Sequence, residues 1–158
     1  MATFPFPLSE TLIRQHTTST SFARGQGYYH SDAVLAVMRR GQQVYAEVAG
    51  SQYEPYQVCI SFSDAGVEEA TCSCPYDWGG WCKHIVATLL LCLHEPESVE
   101  ERPPVDDMLA SLNEDQLRDL MLAMIDRYPD LADMVESFVQ GLSINLKRKP
   151  PPAPFPEE

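Results

Sequence analysis

The chain has 158 residues, 44% of them hydrophobic and 22% charged, and a net charge of −12. That suits one globular domain, or one domain with an appendage, with enough apolar residues for a core. The acidic balance argues against a broad nucleic-acid-binding surface, which needs a basic field. The longest apolar run, Ile85 to Leu93 with Thr88 inside it, is too short to cross a bilayer.

Charge is unevenly placed. Residues 22–92 carry four basic against seven acidic side chains, and residues 93–158 carry six against fifteen. The cysteine count is five, an odd number, and Met1 to Thr18 is broken by Pro5 and Pro7 with no signal-like apolar run. Both point to a reduced, cytoplasmic setting and favour metal over disulfide.

From the N-terminus, Ser9 is positioned to cap a short helix through His16, with Leu12 and Ile13 facing in. The run Thr17 to Ser21 breaks it. Thr20 or Ser21 then caps a second helix over Phe22 to Tyr29, weakened by Gly25 and Gly27. Two readings of Arg24 stand: a ligand contact, or a pairing inside the module. Val34 to Arg40 and Gln43 to Val48, parted by Gly41-Gln42, read as a hairpin. Tyr56 to Ser63 alternates, placing Tyr56, Val58, Ile60 and Phe62 on one face and Cys59 on the other. Asp64-Ala65-Gly66 turns into a fourth strand, Val67 to Cys74. The pattern is a four-stranded antiparallel meander.

The next stretch concentrates the chemistry. Cys72, Cys74, Cys82 and His84 form Cys-x-Cys, a seven-residue gap, then Cys-x-His. Three thiolates and one imidazole make an ordinary closed tetrahedral Zn²⁺ site, with no position left for substrate. An iron–sulfur cluster on the same ligands is the competing cofactor. In a strand, Cys72 and Cys74 lie on one face with Cα atoms roughly 6–7 Å apart, so the strand end has to bend to bring the sulfurs together. Residues two apart in a helix diverge by about 200°, so Cys82 belongs in the turn before a helix and His84 in its first turn. There the helix N-terminus favours a thiolate. Gly79-Gly80 lets the loop fold back.

These residues resemble the SWIM zinc finger, in the bacterial form. The resemblance rests on the four-ligand spacing, on Cys74-Pro75-Tyr76-Asp77 and on Trp81-Cys82-Lys83-His84-Ile85-Val86-Ala87. Upstream, Phe22-Ala23-Arg24-Gly25-Gln26-Gly27-Tyr28-Tyr29 is similar to an Arg-Gly…Tyr-Tyr segment that often opens the module. The resemblance spans roughly Ser19 to His94. It implies an α+β fold, a β-sheet leading through the Cys₃His knuckle into a helix. It also implies zinc binding, recognition of protein or nucleic acid, and no reaction. By analogy with family members found beside Swi/Snf-type helicases and AAA-type ATPases, an ATPase or helicase is the suggested partner.

Ile85 to Leu93 is apolar nearly all round, so the helix after the knuckle has to be covered on more than one side. The sheet takes one side and the C-terminal segment is the candidate for the other. Cys92 lies about 12 Å along that helix from His84, too far to join the site, and reads as a buried small hydrophobe, as Cys59 does if its sheet face is covered. His16, His30 and His94 read as surface or helix-end residues. Residues 95–104 read as an acidic, proline-containing linker. Asp106 to Leu112 reads as a short helix, and Asn113 with Gln116 is a capping box opening the next. Leu117, Leu120, Met121, Met124, Ile125 and Tyr128 stripe one helix; Leu131, Met134, Val135, Phe138 and Val139 stripe another, with Gly141 as its C-cap. That helical hairpin either packs on the module's helix or docks a partner. Lys147-Arg148-Lys149 and the prolines after it read as a tail or linker.

The expected division is therefore an N-terminal segment 1–18, a zinc-binding module 19–94, a linker 95–104, a helical appendage 105–145 and a tail 146–158. Three functions compete. The first is a non-catalytic module for protein–protein interaction, since there is no phosphate loop, Gly-x-Ser-x-Gly or His-Glu-x-x-His. The second is nucleic-acid binding through Arg24, Arg39, Arg40 and Lys83 with Tyr28, Tyr29, Trp78 and Trp81 as stacking groups. The third is an enzyme using the Cys-x-Cys pair for redox chemistry or Asp77 as a base beside zinc. The first is preferred.

Overall fold

The runs of β-branched and aromatic residues become four strands that pair antiparallel in sequence order. They are β1 (Val34–Arg40), β2 (Gln43–Val48), β3 (Tyr56–Ser63) and β4 (Gly66–Cys72). In this computed structural model, which describes residues 3–147, a fifth strand β5 (Glu100–Arg102) joins the edge of β1 in parallel, giving the order β4-β3-β2-β1-β5. The fold is α+β, as expected, but the sheet is not a pure meander. Residues read as linker supply its fifth strand, after a 3₁₀ turn at Pro96–Ser98. Arg39 Nη2 donates to Glu101 Oε1 at 2.6 Å and Arg40 Nη1 to Pro103 O at 2.8 Å, which ties that segment down.

Alternation along β3 buries Tyr56, Val58, Ile60 and Phe62 on the face that meets the helices. Val44, Ala46 and Val48 of β2 lie beside them in the core. Cys59, on the other face, is half-buried, its thiol 3.7 Å from Gln43 Oε1.

Three helices precede or follow the sheet: α1 (Glu10–Gln15), α2 (Ser19–His30) and α3 (Lys83–His94). Ser9 caps α1, its side chain accepting from Leu12 N at 3.1 Å. Helix α2 begins earlier than read from sequence because Thr18 takes the cap, accepting from Ser21 N at 3.1 Å. Helix α3 is buried from His84 to Leu90 and again at Cys92. Each fully buried leucine there is worth about 1.5–3 kcal/mol.

The second cover of α3 corrects the sequence expectation. It comes from residues ahead of the sheet, with Ile13 of α1 and Phe22 of α2 in the same core as Val86, Leu89 and Leu90. Gly25 makes the approach possible: a Cβ built on it would stand 2.3 Å from Val86 Cγ1. The core therefore runs from Phe4 to Val99.

The chain divides into two compact units, Met1–Asp107 and the part from Met108 on. Helix α4 (Val105–Ala110) crosses that boundary, and α5 (Glu114–Arg127) and α6 (Leu131–Lys147) follow. The capping box is present, with Gln116 N donating to Asn113 Oδ1 at 2.9 Å and Asn113 N to Gln116 Oε1 at 3.0 Å. Gly141 is not a C-cap: α6 runs through it to Lys147, because no left-handed residue stops it and the first proline beyond is Pro150. The proline tail read from 146 lies, from 148 on, outside the described residues. Among the described residues no helix is long and apolar enough to cross a membrane.

Candidate metal centre

Strand β4 delivers Cys72 as its last residue and the chain then bends over Ser73–Pro75. The bend is the one the Cys-x-Cys spacing requires. Ser73 marks the last rung: its N donates to Gln57 O at 3.0 Å and its Oγ accepts from Gln57 N at 2.9 Å. Cys74 leaves the ladder and turns back toward Cys72.

The loop from Tyr76 to Trp81 is pinned to the corner between α1 and α2. Trp81 N donates to His16 O at 2.8 Å, Thr17 Oγ1 to Trp81 O at 2.7 Å, and the Trp81 ring stacks on His16 at 4.6 Å. Gly80 sits at φ +71° with a would-be Cβ 2.6 Å from His16 O, so a side chain there meets both backbone strain and a clash. Ser21 Oγ donates to Tyr76 Oη at 3.0 Å.

Cys82 is the N-cap of α3, in extended conformation and without a side-chain cap bond, and His84 stands in the first turn. Its sulfur faces the cluster. The donor atoms of Cys72, Cys74, Cys82 and His84 all lie within 4.8 Å of one another. His84 Nδ1 is 3.6 Å from Cys72 Sγ and 3.8 Å from Cys82 Sγ. A tetrahedron with metal–sulfur arms of about 2.3 Å has edges of about 3.8 Å, so these separations suit a single ion. The donor set fits Zn²⁺, and Nδ1 is the nitrogen turned to the sulfurs.

The imidazole is held by packing. Its ring lies 4.5 Å from that of Tyr56 and 5.4 Å, edge-on, from that of Tyr28. His84 Nε2 is buried with no hydrogen-bond partner. Among the thiols, Cys82 is pulled down to about 4, first by the hydrogen bond from Cys72, then by His84 and the Ile85 N–H. Cys72 is pushed up, chiefly by that same bond to Cys82, and Cys74 is pushed up chiefly by burial. Three thiols this close cannot all ionise without a cation among them. Cys92 stands apart, fully buried, its thiol raised to about 12 by that burial.

Of the residues read as a nucleic-acid surface, Arg24, Trp78 and Lys83 line one cavity beside the cluster, and others are engaged elsewhere. Arg39 and Arg40 are engaged with the β5 segment, Tyr29 donates to Glu95 Oε1 at 2.7 Å, and Trp81 is stacked on His16. Lys83 Nζ sits 4.4 Å above the Tyr28 ring. Trp78 is 82% exposed, and Arg24 is exposed beside it. The histidines outside the cluster are at helix ends, as read: His16 caps α1 and His94, ending α3, lies 3.1 Å from Glu10 Oε1. Sequence reasoning did not find Tyr56 as a wall of the site; its place on the inward face of β3 was visible, but not that this face continues to the cluster.

Comparison with known proteins agrees with this geometry. Residues 56–93, which hold β3, β4, all four donors and nearly all of α3, match the family model described as SWIM zinc finger. The chain is 29% identical over 138 residues to zinc finger SWIM domain-containing protein 8 of Homo sapiens and of Bos taurus, covering 82% of this chain and 8% and 10% of theirs. It is 28% identical over 135 residues to the Drosophila melanogaster homolog, covering 6% of that protein. The chain thus spans a tenth or less of the length of these relatives. They are animal proteins and give no support to a bacterial form of the motif. No solved structure matches. What the comparisons and the donor geometry jointly establish is a SWIM zinc finger match centred on a Cys₃His group that fits Zn²⁺.

Proposed function

We propose that this chain is a non-catalytic, zinc-stabilised module for protein–protein interaction. In this reading Cys72, Cys74, Cys82 and His84 Nδ1 hold one Zn²⁺. The observation that carries it is the convergence of four donors within 4.8 Å, which fills a tetrahedral coordination sphere from protein alone. The bound ion supplies cross-linking, and no position is left for a substrate or a reactive water. The chain's own residues do the rest: Tyr56 and Tyr28 orient the imidazole, the start of α3 supports the Cys82 thiolate, and Trp81 locks the loop onto His16.

The surface favours a protein partner over nucleic acid. The net charge is −12, and Arg39 and Arg40 are engaged with the β5 segment. Asp77 stands exposed in the loop between Tyr76 and Trp78, and among the described residues no hydrogen bond holds it against the donors. An ATPase or helicase as partner rests on the family resemblance alone. In this reading the chain works in the cytoplasm, where thiols stay reduced.

The test is salt-resolved binding by the zinc-loaded chain. Retention of a protein partner from the source cell, with DNA and RNA retention lost at moderate salt, supports the reading. Tight nucleic-acid binding with a steep salt slope contradicts it.

A further inference from the structure

Beside the cluster lies an open cavity of about 250 Å³ lined by Arg24, Ser51, Tyr56, Trp78 and Lys83 together with Cys74, Cys82 and His84. A second, of about 370 Å³, adjoins it and shares Ser21, Arg24, Tyr76 and Trp78. No aspartate or glutamate lines either one, although the chain carries 23 acidic residues. Arg24 has no hydrogen-bond or ion-pair partner among the described residues, in contrast to Arg14, Arg39, Arg40 and Arg102. Trp78 presents its indole to solvent at the same place.

We propose that this double cavity binds an extended segment of another protein through one internal acidic side chain, with Arg24 taking the carboxylate and Trp78 the apolar residue next to it. The proposal rests on the protein-binding reading above and names where and what that reading binds.

Four considerations select this ligand. An exposed guanidinium with nothing to pair is a planar fork suited to a carboxylate. A single free arginine balances a single carboxylate. Lys83 also lines the cavity, and its charge offsets the single negative charge that Zn²⁺ on three thiolates leaves on the neighbouring cluster, so the net charge left for a ligand is that of Arg24 and a phosphate dianion is less well matched. Arg24 and Trp78 belong to both cavities, so the anion sits in the middle with room on either side. A chain can pass through, which suits an internal side chain better than a C-terminal carboxylate. A nucleic acid would bring many charges to a surface whose remaining field is acidic.

The experiment pans the zinc-loaded full chain against a displayed library of random internal heptapeptides. The expected result is enrichment of Glu or Asp at one position beside an apolar residue. Selected peptides should then lose about tenfold or more in affinity for Arg24→Gln and for Trp78→Ala, and equally when their acid is changed to the amide. Zinc content and melting temperature of both variants should match the parent, since both side chains are exposed. Peptides that lack an acid, or that bind both variants as well as the parent, overturn this site and leave the protein-binding reading intact. Binding only by peptides with a free C-terminal carboxylate also overturns it. Failure to select any peptide, with oligothymidylate bound instead, overturns both.

Discussion

Gly25 of α2 faces Val86 of α3 with no room for a side chain: a Cβ on Gly25 would stand 2.3 Å from Val86 Cγ1 and 3.1 Å from Lys83 O. The helix that carries His84 is thus held from behind by the one residue type that allows backbone approach. Two residues on, Gly27 has nothing within 4 Å of its would-be Cβ. Both glycines cost α2 helix propensity, but only one returns packing. Gly25→Ala should therefore destabilise the zinc-loaded protein by about 1–3 kcal/mol through overpacking. Gly27→Ala should stabilise it by up to about 1 kcal/mol. Chemical denaturation midpoints of the two variants check this; equal effects would mean that α2 does not pack as closely as described.

The two tryptophans of the knuckle should separate. Trp81→Ala removes the stack on His16 and loosens the loop, at a cost of about 1–3 kcal/mol, below that of a fully buried aromatic. Trp78→Ala should leave thermal stability unchanged, since that ring is 82% exposed. Thermal melts read both. A stability loss at Trp78 equal to that at Trp81 would show that it packs in solution.

From the sequence, the sheet was legible because β-branched and aromatic residues gather in runs, with alternation along the third: β1, β2 and β3 fall where Val34, Gln43 and Tyr56 open their runs. The four donors were legible because their spacing meets a geometric requirement, a bend after Cys72 and a helix start at Cys82. What covers α3 was not. An apolar helix states that it needs a cover, but not which segment provides it, and the weak helix-forming look of Phe22 to Tyr29 hid the partner. In the fold, Gly25 makes that segment the better fit. The strand at Glu100–Arg102 was hidden for a different reason: its three residues are all charged and exposed, and contacts from Arg39 and Arg40 and the free edge of β1 place it. The separate fates of Trp78 and Trp81 depend on His16, which sequence does not put beside either one.

Tyr29 gives the fold an alkaline limit. Its hydroxyl donates to Glu95 Oε1 at 2.7 Å, and that bond first, then burial and the Glu95 charge, raise it from 10.0 to about 12. The fold thus prefers the protonated phenol. Its contribution is complete below pH 10 and is lost as pH rises from there through about 12. Tyr29→Phe should lower stability at neutral pH and flatten the loss across that window. Denaturation at stepped pH measures it; an unchanged alkaline slope in the variant would remove the Tyr29–Glu95 bond from the account.

Removing the metal should loosen the knuckle more than the sheet. Structural zinc contributes about 10–16 kcal/mol in finger peptides, against a net stability of about 5–15 kcal/mol for a small domain. Here β1 to β3 and the core from Phe4 to Val99 stand partly on their own. Chelation, and Cys82→Ser equally, should lower the melting temperature and abolish exchange protection across residues 74–85 while β2 and β3 retain theirs. Hydrogen exchange with and without chelator reads it. Full protection of residues 74–85 after complete metal removal would contradict it.

The central claim is that one zinc ion is held by three sulfurs and one nitrogen. X-ray absorption at the zinc edge on the purified chain tests it most directly, with metal content measured on the same sample. The account predicts one zinc per chain and a first shell of three sulfurs at about 2.3 Å and one nitrogen at about 2.0–2.1 Å, losing one sulfur in Cys72→Ser. A folded chain without zinc, or a first shell containing oxygen in place of a sulfur, would contradict it.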